Sequence, residues 1–332
     1  MTNEAIQIRI YTKSNDIPLL QEGSVLHSEQ MFRSVEKIRG CTPYMLVAYN
    51  SKGDEIAHIL VTRKRKFHLF LPILTHSYTI NGEGVYNSTC NREDIFNLFL
   101  YKVIELFDHR NSYMEIQNIE DSRFAYGTLS KHNFIPIKDQ RIYISLHSKA
   151  PQERLTRSYR AHIRRAENSG VTCRIATCKE EIDTALHLMK NYYISKTRRR
   201  LPDVEALQNM LHDTSGNLSD KAKLFIVSHK EKIIGSAICL YDKERANLAY
   251  SCGLRKSYPM QFPGIMAIWA AISDAHLKGY AHFEFLEARN LPFFHRKFIS
   301  TLLNYGGKQK GTLRWYRFKW NWMNKILHAI YV

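Results

Sequence analysis

The sequence lacks the patterns that mark membrane-spanning, secreted and zinc-binding proteins. It has no run of about eighteen consecutive apolar residues, the length that a membrane-crossing helix needs. Its start, MTNEAIQIRIYTKSND, does not place an apolar segment after a positively charged one, as a secretory signal does. The H-x-x-x-H and C-x-x-C spacings of zinc ligands do not occur. These absences predict a cytoplasmic protein without an integral membrane segment or a metal site.

Cysteine is also scarce, and a serine-hydrolase motif is missing. The six cysteines fall mostly in apolar, strand-like runs, which predicts buried free thiols in a reducing compartment. They are Cys41, Cys90, Cys173, Cys178, Cys239 and Cys252. No G-x-S-x-G sequence is present, so nothing points to a nucleophilic serine.

Positive charge is concentrated in the second half of the chain. Residues 1–150 have 18 Lys and Arg against 16 Asp and Glu, whereas residues 151–332 have 30 against 15. A surface with this excess attracts an anionic partner and speeds its capture. The candidates are a phosphorylated cofactor, RNA, an acidic carrier protein and an anionic membrane surface.

The two halves repeat one pattern of predicted elements, and a length of 332 residues also favours two domains. Each half has a strand hairpin, a helix, a strand, a second helix and a final strand. The segments are 44–64, 93–110, 112–118, 120–133 and 134–146 in the first half, and 223–243, 264–279, 282–288, 291–302 and 313–321 in the second. The pattern predicts a mixed α/β fold with two tandem domains, 1–150 and 151–332, each a mostly antiparallel sheet flanked by helices.

Two basic segments lie in the second domain. Residues 152–170 read as a helix that Gly170 ends, with a basic face. Its arginines are Arg154, Arg157, Arg160, Arg164 and Arg165. The segment 314–332 mixes aromatic residues with cations; we expect a strand and a helix that close the second domain, and the alternative is contact with an anionic membrane or with stacked bases.

The order of segments in the second half resembles the FemAB-like acyltransferases of the GNAT (acetyltransferase-type) superfamily. The resemblance rests on SYRAHIRRAENSGVTCRIA, KLFIVSHKEKIIGSAICL, ANLAYSCGL, FPGIMAIWAAISDAHLKGYAHFEFLEA and FFHRKFI. It implies two fused GNAT-like domains that transfer an activated acyl group to an amine. The donor in such proteins is an aminoacyl-tRNA or an acyl thioester.

The sequence departs from that family in two places. Where many members have F-K-x-x-F-G, this chain has Phe294 to Ile299, so His295 stands at the lysine position and Lys297 or Arg296 would take over its role. No segment between residues 190 and 291 fits the long helical arm of the tRNA-dependent ligases. This absence favours acyl-CoA, or a carrier-protein thioester, as the donor.

The resemblance also implies a donor site in the second domain. We expect the strand 246–254 and the strand 282–288 to splay apart, so that a pantetheine arm adds to the edge at Ala249–Gly253; the alternative is a buried strand paired on both sides. The phosphate loop would be Gln261–Met266, although any helix start explains its Pro and Gly. The predicted donor-binding residues are Gly253, Arg255, Lys256, Gln261, Gly264 and Lys297.

Proton transfer and acceptor binding are assigned to residues of the same domain. Glu287, Tyr250 and His295 are the predicted catalytic residues, with a salt bridge between Glu287 and Arg289 as the structural alternative for Glu287. Glu284, Arg289 and Tyr258 are the predicted acceptor-binding residues.

The expected activity is transfer of an acyl group to a primary amine of an amino sugar, an amino acid or a cell-envelope precursor. Two alternatives remain: transfer from aminoacyl-tRNA to a peptidoglycan precursor, and a non-catalytic GNAT pair that binds an anionic ligand or a membrane. Peripheral membrane association is compatible with all three.

Overall fold

The structure is a computed structural model that describes residues 6–65, 76–88, 90–106, 111–117, 119–197, 201–286 and 296–331. The chain forms two compact units. The first comprises Met1–Asp139 and Gly311–Val332, and the second comprises Gln140–Lys310. Each unit is described by itself below.

The chain begins in the first unit with strands and three helices. The strands are β1 (Gln7–Tyr11), β2 (Cys41–Tyr49), β3 (Glu55–Arg65), β4 (His76–Asn81), β5 (Val85–Tyr86), β6 (Asn111–Gln117) and β7 (Ile135–Ser145). The helices are α1 (Glu29–Glu36), α2 (Arg92–Glu105) and α3 (Tyr126–Lys131), with single 3₁₀ turns at Ser14–Asp16 and Val25–His27.

The second unit has more helices, and the chain then returns to the first. Its helices are α4 (Pro151–Arg154), α5 (Arg157–Asn168), α6 (Lys179–Tyr192) with a π-helical turn at Tyr193–Thr197, α7 (Val204–Leu211), α8 (Pro263–Leu277) and α9 (Arg296–Leu303). Its strands are β8 (Val171–Ile175), β9 (Ala222–His229), β10 (Lys232–Tyr241), β11 (Arg245–Gly253) and β12 (His282–Phe285). The returning elements are β13 (Lys308–Phe318) and α10 (Asn321–Tyr331).

The two units have matching sheets. In the first the strand order is β1, β2, β3, β4, β6, β13, and β5 pairs with β3. In the second it is β8, β9, β10, β11, β12, β7. Neighbours are antiparallel except β4 with β6 and β11 with β12, the pairs joined through α2 and α8. The predicted mixed, mostly antiparallel sheet flanked by helices is confirmed in both units.

Short-range chemistry explains the two predicted hairpins. In the β2–β3 turn the side-chain oxygen of Asn50 accepts two backbone N–H groups at 2.9 Å each, and Gly53 adopts a φ of +87°. In the β9–β10 turn Lys230 and Glu231 have φ values of +48° and +63°. Two consecutive left-handed residues match the twist of the flanking strands.

The compact units differ from the predicted division at residue 150. The chain enters the second unit within β7, between Asp139 and Gln140, and leaves it within β13, between Lys310 and Gly311. The last part of β7 pairs with β12, and the last part of β13 pairs with β6. The last strand of the first repeat, β7, therefore pairs in the second unit, and the last strand of the second repeat, β13, pairs in the first unit.

The C-terminal aromatic residues pack in the first unit, although the sequence pattern predicted that they close the second. Trp315 is buried against α2 and α3, and its ring centroid lies 5.0 Å from that of Tyr126. In return, Ile142 and Ile144 of β7 are buried in the core of the second unit. The side chains of each strand are thus buried in the core of the unit in which that part of the strand pairs.

The basic helix is confirmed over Arg157–Asn168. Tyr159, Ile163 and Ala166 face the core, and Gly170 has a φ of +80° just beyond the helix end. The arginines at 157, 160, 164 and 165 are exposed, whereas Arg154 lies in the separate turn α4. All six cysteines are free thiols; Cys239 and Cys252 are buried, and Cys178 is exposed. Within the described residues, no helix combines the length and apolarity needed to cross a bilayer.

Candidate active site

The feature that defines the site is a strand that loses one of its two neighbours halfway along. β11 pairs with β12 from Arg245 to Leu248, and its partner on that side ends at Phe285. Beyond that point Ala249–Gly253 pairs with β10 alone, within the described part of the chain. We call Ala249–Gly253, which has no second partner strand among the described residues, the open edge; the splay of the two strands stays a prediction.

A β-bulge lies at the same residue. Ile238 of β10 pairs with Tyr250 and Cys239 pairs with Leu248, so Ala249 has no partner in this register. Leu248 packs in the main core, whereas the ring of Tyr250 contacts Tyr193. The bulge thus turns Tyr250 away from the core and bends the strand where its outer edge becomes open.

Glycine residues bring the start of α8 against this strand. A Cβ added to Gly253 would lie 2.2 Å from the Gly264 nitrogen, and one added to Gly235 would lie 2.9 Å from the Pro263 oxygen. Phe262, before the helix, has a φ of +45°, and no side chain in the described residues caps the helix start. The amino end of α8 is therefore held beside β11. Pro263 has no N–H, and the Ile265 and Met266 N–H groups donate to the Phe262 carbonyl at 2.9 and 3.0 Å, so within the described residues the Gly264 N–H is the donor left for an anion.

A histidine and arginines surround this helix start. The ring of His162, on α5, stacks on Phe262 at 4.2 Å between centroids and 20° between planes. Burial lowers the pKa of His162, and the guanidinium groups of Arg255 and Arg165 lower it further. The Nδ1 atom of His162 is buried and has no hydrogen-bond partner within the described ranges. Burial and the two neighbouring cations thus both favour the neutral form of this imidazole.

Most of the predicted donor-binding residues lie in two places, at the start of α8 and at or just after the end of β11. Gly253 and Gly264 are in direct backbone contact, and Gln261 is half-buried just before α8. Arg255 and Lys256 follow β11 and are exposed. Met266, at the position where the GNAT pattern has a small residue, is buried in the core.

Two tyrosines lie at the open edge, Tyr250 and Tyr193. The sequence pattern did not identify Tyr193. Burial raises the pKa of Tyr250 to about 12, so its hydroxyl stays protonated at neutral pH. Tyr193 begins the π-helical turn after α6, and its hydroxyl accepts a long hydrogen bond of 3.5 Å from the Ser251 backbone N–H. This hydroxyl therefore lies where a donor would bind the edge. Single π turns often occur at functional sites.

Glu284 is the most buried of the predicted acceptor-binding residues that the structure describes. Its carboxylate forms an ion pair with Arg141, and its Oε1 lies 3.0 Å from a guanidinium nitrogen of Arg245. Because Glu284 and Arg141 are both almost fully buried, each needs the other as a charge partner. These contacts favour a structural ion-pair role over acceptor binding for Glu284. Tyr258, the second such residue, is half-buried with its ring 6.2 Å from that of His229.

Four of the predicted site residues are not described at the level of their side chains. Glu287, Arg289 and His295 lie outside the described residues, and for Lys297 only its place in α9 is described. Their roles stay predictions. In the described ranges no group of three or more His, Cys, Asp or Glu residues could hold a metal ion.

A comparison with family models finds a match in the second half of the chain. Residues 153–294 match the family model of the acetyltransferase (GNAT) domain. No curated protein matches the sequence. Residues 153–294 therefore form an acetyltransferase-type (GNAT) domain.

Solved structures extend the likeness to the whole chain. FemX is 12% identical with a TM-score of 0.65, over 93% of this chain and 94% of that one. The C-terminal domain of a putative lysylphosphatidylglycerol synthetase from Agrobacterium fabrum is 11% identical with a TM-score of 0.58, over 93% and 92%. A tandem GNAT protein from the clavulanic acid biosynthesis pathway is 11% identical with a TM-score of 0.52, over 95% and 98%. At these identities the likeness is one of fold, and it gives this chain the tandem, FemAB-like fold of the GNAT superfamily.

Proposed function

We propose that the second unit transfers an acyl group from a thioester, of coenzyme A or of a carrier protein, to a primary amine. The observation that carries the proposal is the open edge at Ala249–Gly253 beside the uncapped start of α8. An extended pantetheine arm would add to that edge as a strand does, and its phosphates would bind at the helix start. Arg255 and the excess of cations in this half of the chain support an anionic donor.

The reaction is a direct attack without a covalent enzyme intermediate. The amine nitrogen bonds to the thioester carbonyl carbon, the C–S bond breaks, and the nitrogen loses one proton. Backbone N–H groups at the open edge would stabilise the charge that develops on the carbonyl oxygen. Tyr250, which stays protonated, would donate its hydroxyl proton to the leaving thiolate. Glu287 and His295 are the proposed proton acceptors for the amine.

The acceptor is proposed to be an amino sugar, an amino acid or a cell-envelope precursor with a free amine. A structure of similar fold is named a putative lysylphosphatidylglycerol synthetase, so aminoacyl groups belong among the donors to be tested.

Thiol release from a panel of acyl-CoA donors, measured with and without amine acceptors, tests the proposal. We expect an acceptor-dependent rate, and a KM for the donor that rises at least tenfold in an Arg255→Ala variant. Lys179→Ala is the matched control, because Lys179 is an exposed cation of the same unit at the start of α6. Thiol release at the background rate with every donor of the panel would contradict a thioester donor, and release that no amine accelerates would contradict an amine acceptor.

One observation favours aminoacyl-tRNA as the alternative donor. The exposed arginines of α5 are on the same helix as His162, which stacks on the residue before α8. Such a face would bind a phosphate backbone, and the affinity would fall steeply with salt because each neutralised phosphate releases a counterion. Titration of tRNA at several salt concentrations tests this alternative, and a lack of binding at low salt would exclude it.

A further inference from the structure

Helix α10, in the first unit, presents an apolar stripe to solvent. Trp322, Ile326 and Ile330 are 60%, 52% and 65% exposed. Residues four apart on a helix advance by about 40° around its axis, so these three side chains form one continuous stripe about 12 Å long. Large apolar side chains scattered singly over a surface are ordinary, but three in a row on one helix are a contiguous patch.

The helix is held in place by another of its sides. The side-chain oxygen of Asn324 accepts the Phe318 backbone N–H at 2.8 Å, and its side-chain nitrogen donates to the Phe318 carbonyl at 2.9 Å. Asn324 is buried, and Met323 and Leu327 are half-buried. The apolar stripe thus contributes little to packing within the unit, so another reason is needed for its composition.

Helix α10 itself has one lysine, Lys325, and no Asp or Glu. Lys325 is exposed and lies about 60° from Trp322 around the helix axis, on the side away from Ile326. Before the helix, Arg314 is neutralised by ion pairs with Glu115 and Asp139, so Lys325 is the charge that accompanies the stripe. The exposed part of α10 therefore combines a tryptophan, two isoleucines and one lysine.

We propose that the apolar stripe of α10 docks the protein on an anionic lipid bilayer, with the helix axis parallel to the membrane plane. An exposed apolar face flanked by cations is the composition of interfacial helices, and tryptophan prefers the boundary between headgroups and acyl chains. Charge complementarity selects the lipid over a second copy of the chain. In a twofold contact through the same face, Lys325 would approach its own copy, whereas anionic headgroups would neutralise it.

Vesicle flotation with the full chain tests the proposal. The vesicles are phosphatidylcholine alone, or phosphatidylcholine with about 30% phosphatidylglycerol, an anionic content in the range that attracts basic segments. We expect the wild type to bind the anionic vesicles, and the triple variant Trp322→Ser, Ile326→Ser, Ile330→Ser to bind them at least tenfold less. Lys325→Glu should weaken binding to the anionic vesicles only.

Leu19→Ser is the matched control, because Leu19 is 97% exposed in the same unit and lies outside the stripe. It should leave vesicle binding unchanged, and thermal unfolding of each variant reports whether the fold is retained. The proposal is overturned if the folded triple variant binds as the wild type does, if neutral vesicles bind equally well, or if the wild type is a dimer that the triple variant dissociates. Flotation involves no acyl donor, so this result is independent of the proposed activity.

Discussion

Gly253→Ala is the substitution that probes the candidate donor site most directly. The new methyl carbon would lie 2.2 Å from the Gly264 nitrogen and 2.6 Å from its Cα. Carbon atoms in contact are normally about 3.5 Å or more apart, so the start of α8 must move by about 1 Å. The atoms in the way are backbone, and no side-chain rotation relieves the contact.

Two effects of that displacement can be given a magnitude. Overpacking of a buried site costs about 1–3 kcal/mol in the free energy of unfolding. A displacement of about 1 Å at a binding element costs about 100-fold in catalytic rate. We therefore expect a folded but less stable protein whose kcat/KM for the donor falls by about two orders of magnitude.

Thiol-release kinetics and urea unfolding measure these two effects. Gly264→Ala is the informative control, because its Cβ would meet only the Gly253 Cα, at 4.0 Å, and its free energy of unfolding should stay within about 0.5 kcal/mol of the wild type. Gly311→Ala has no atom within 4 Å of the new carbon and should change neither quantity. Full donor turnover in a stably folded Gly253→Ala protein would refute the assigned role of the α8 start.

Three further predictions concern other residues. Glu284→Gln leaves Arg141 buried without its charge partner and should cost about 3–5 kcal/mol in urea unfolding, with the KM for the acceptor unchanged; a raised KM at full stability would instead support acceptor binding. Tyr193→Phe removes the hydroxyl that accepts the Ser251 N–H and should change the KM for the donor at least threefold without altering the melting temperature; an unchanged KM would separate this hydroxyl from the donor site. Burial lowers the pKa of His27 to about 3, so between pH 6.5 and pH 3 only the unfolded chain binds a proton at this residue. The free energy of unfolding therefore falls by about 1.4 kcal/mol for each pH unit below 6.5. Between pH 7.5 and pH 5.0 a His27→Gln protein should lose about 2 kcal/mol less than the wild type, and equal losses would show that His27 does not govern acid sensitivity.

Local patterns were sufficient to predict the repeated unit. The hairpins, α2, α8 and the strands that follow those helices all have a period or a turn that is readable over about ten residues. The exchange of β7 and β13 could not be predicted in this way, because it depends on which core buries the side chains of each strand. Only the burial of Trp315 in the first core and of Ile142 in the second distinguishes the two pairings. That information lies in contacts between residues distant in sequence.

The candidate site likewise contains residues that the sequence identified and residues that only the structure revealed. Gly253 and Gly264 belong to a recognisable segment, and the structure brings them into contact. His162 lies within the basic helix that the sequence identified, but its stacking on Phe262 joins residues a hundred positions apart. Tyr193 had no sequence signal, because the π turn that directs its hydroxyl at β11 leaves no residue pattern. The bulge at Ala249 was equally hidden, since it is a property of pairing with β10.

A comparison of the two repeats explains why we assign the donor to the second unit. In the first unit β4 pairs with β6 along its whole length, from His76 to Asn81, so the counterpart of the open edge is occupied. The start of α2 is capped by the Asn91 side chain and has Glu93 and Asp94 in its first turn. Among the described residues of the second unit, Ala249–Gly253 pairs with β10 alone, the start of α8 has no side-chain cap, and its first turn has no acidic residue. An anionic donor would be repelled at the first helix and attracted at the second, because carboxylates already satisfy the positive end of α2. Placing acidic residues in the first turn of α8, as Ile265→Glu does, should therefore abolish donor binding, whereas Glu93→Gln in α2 should leave it unchanged.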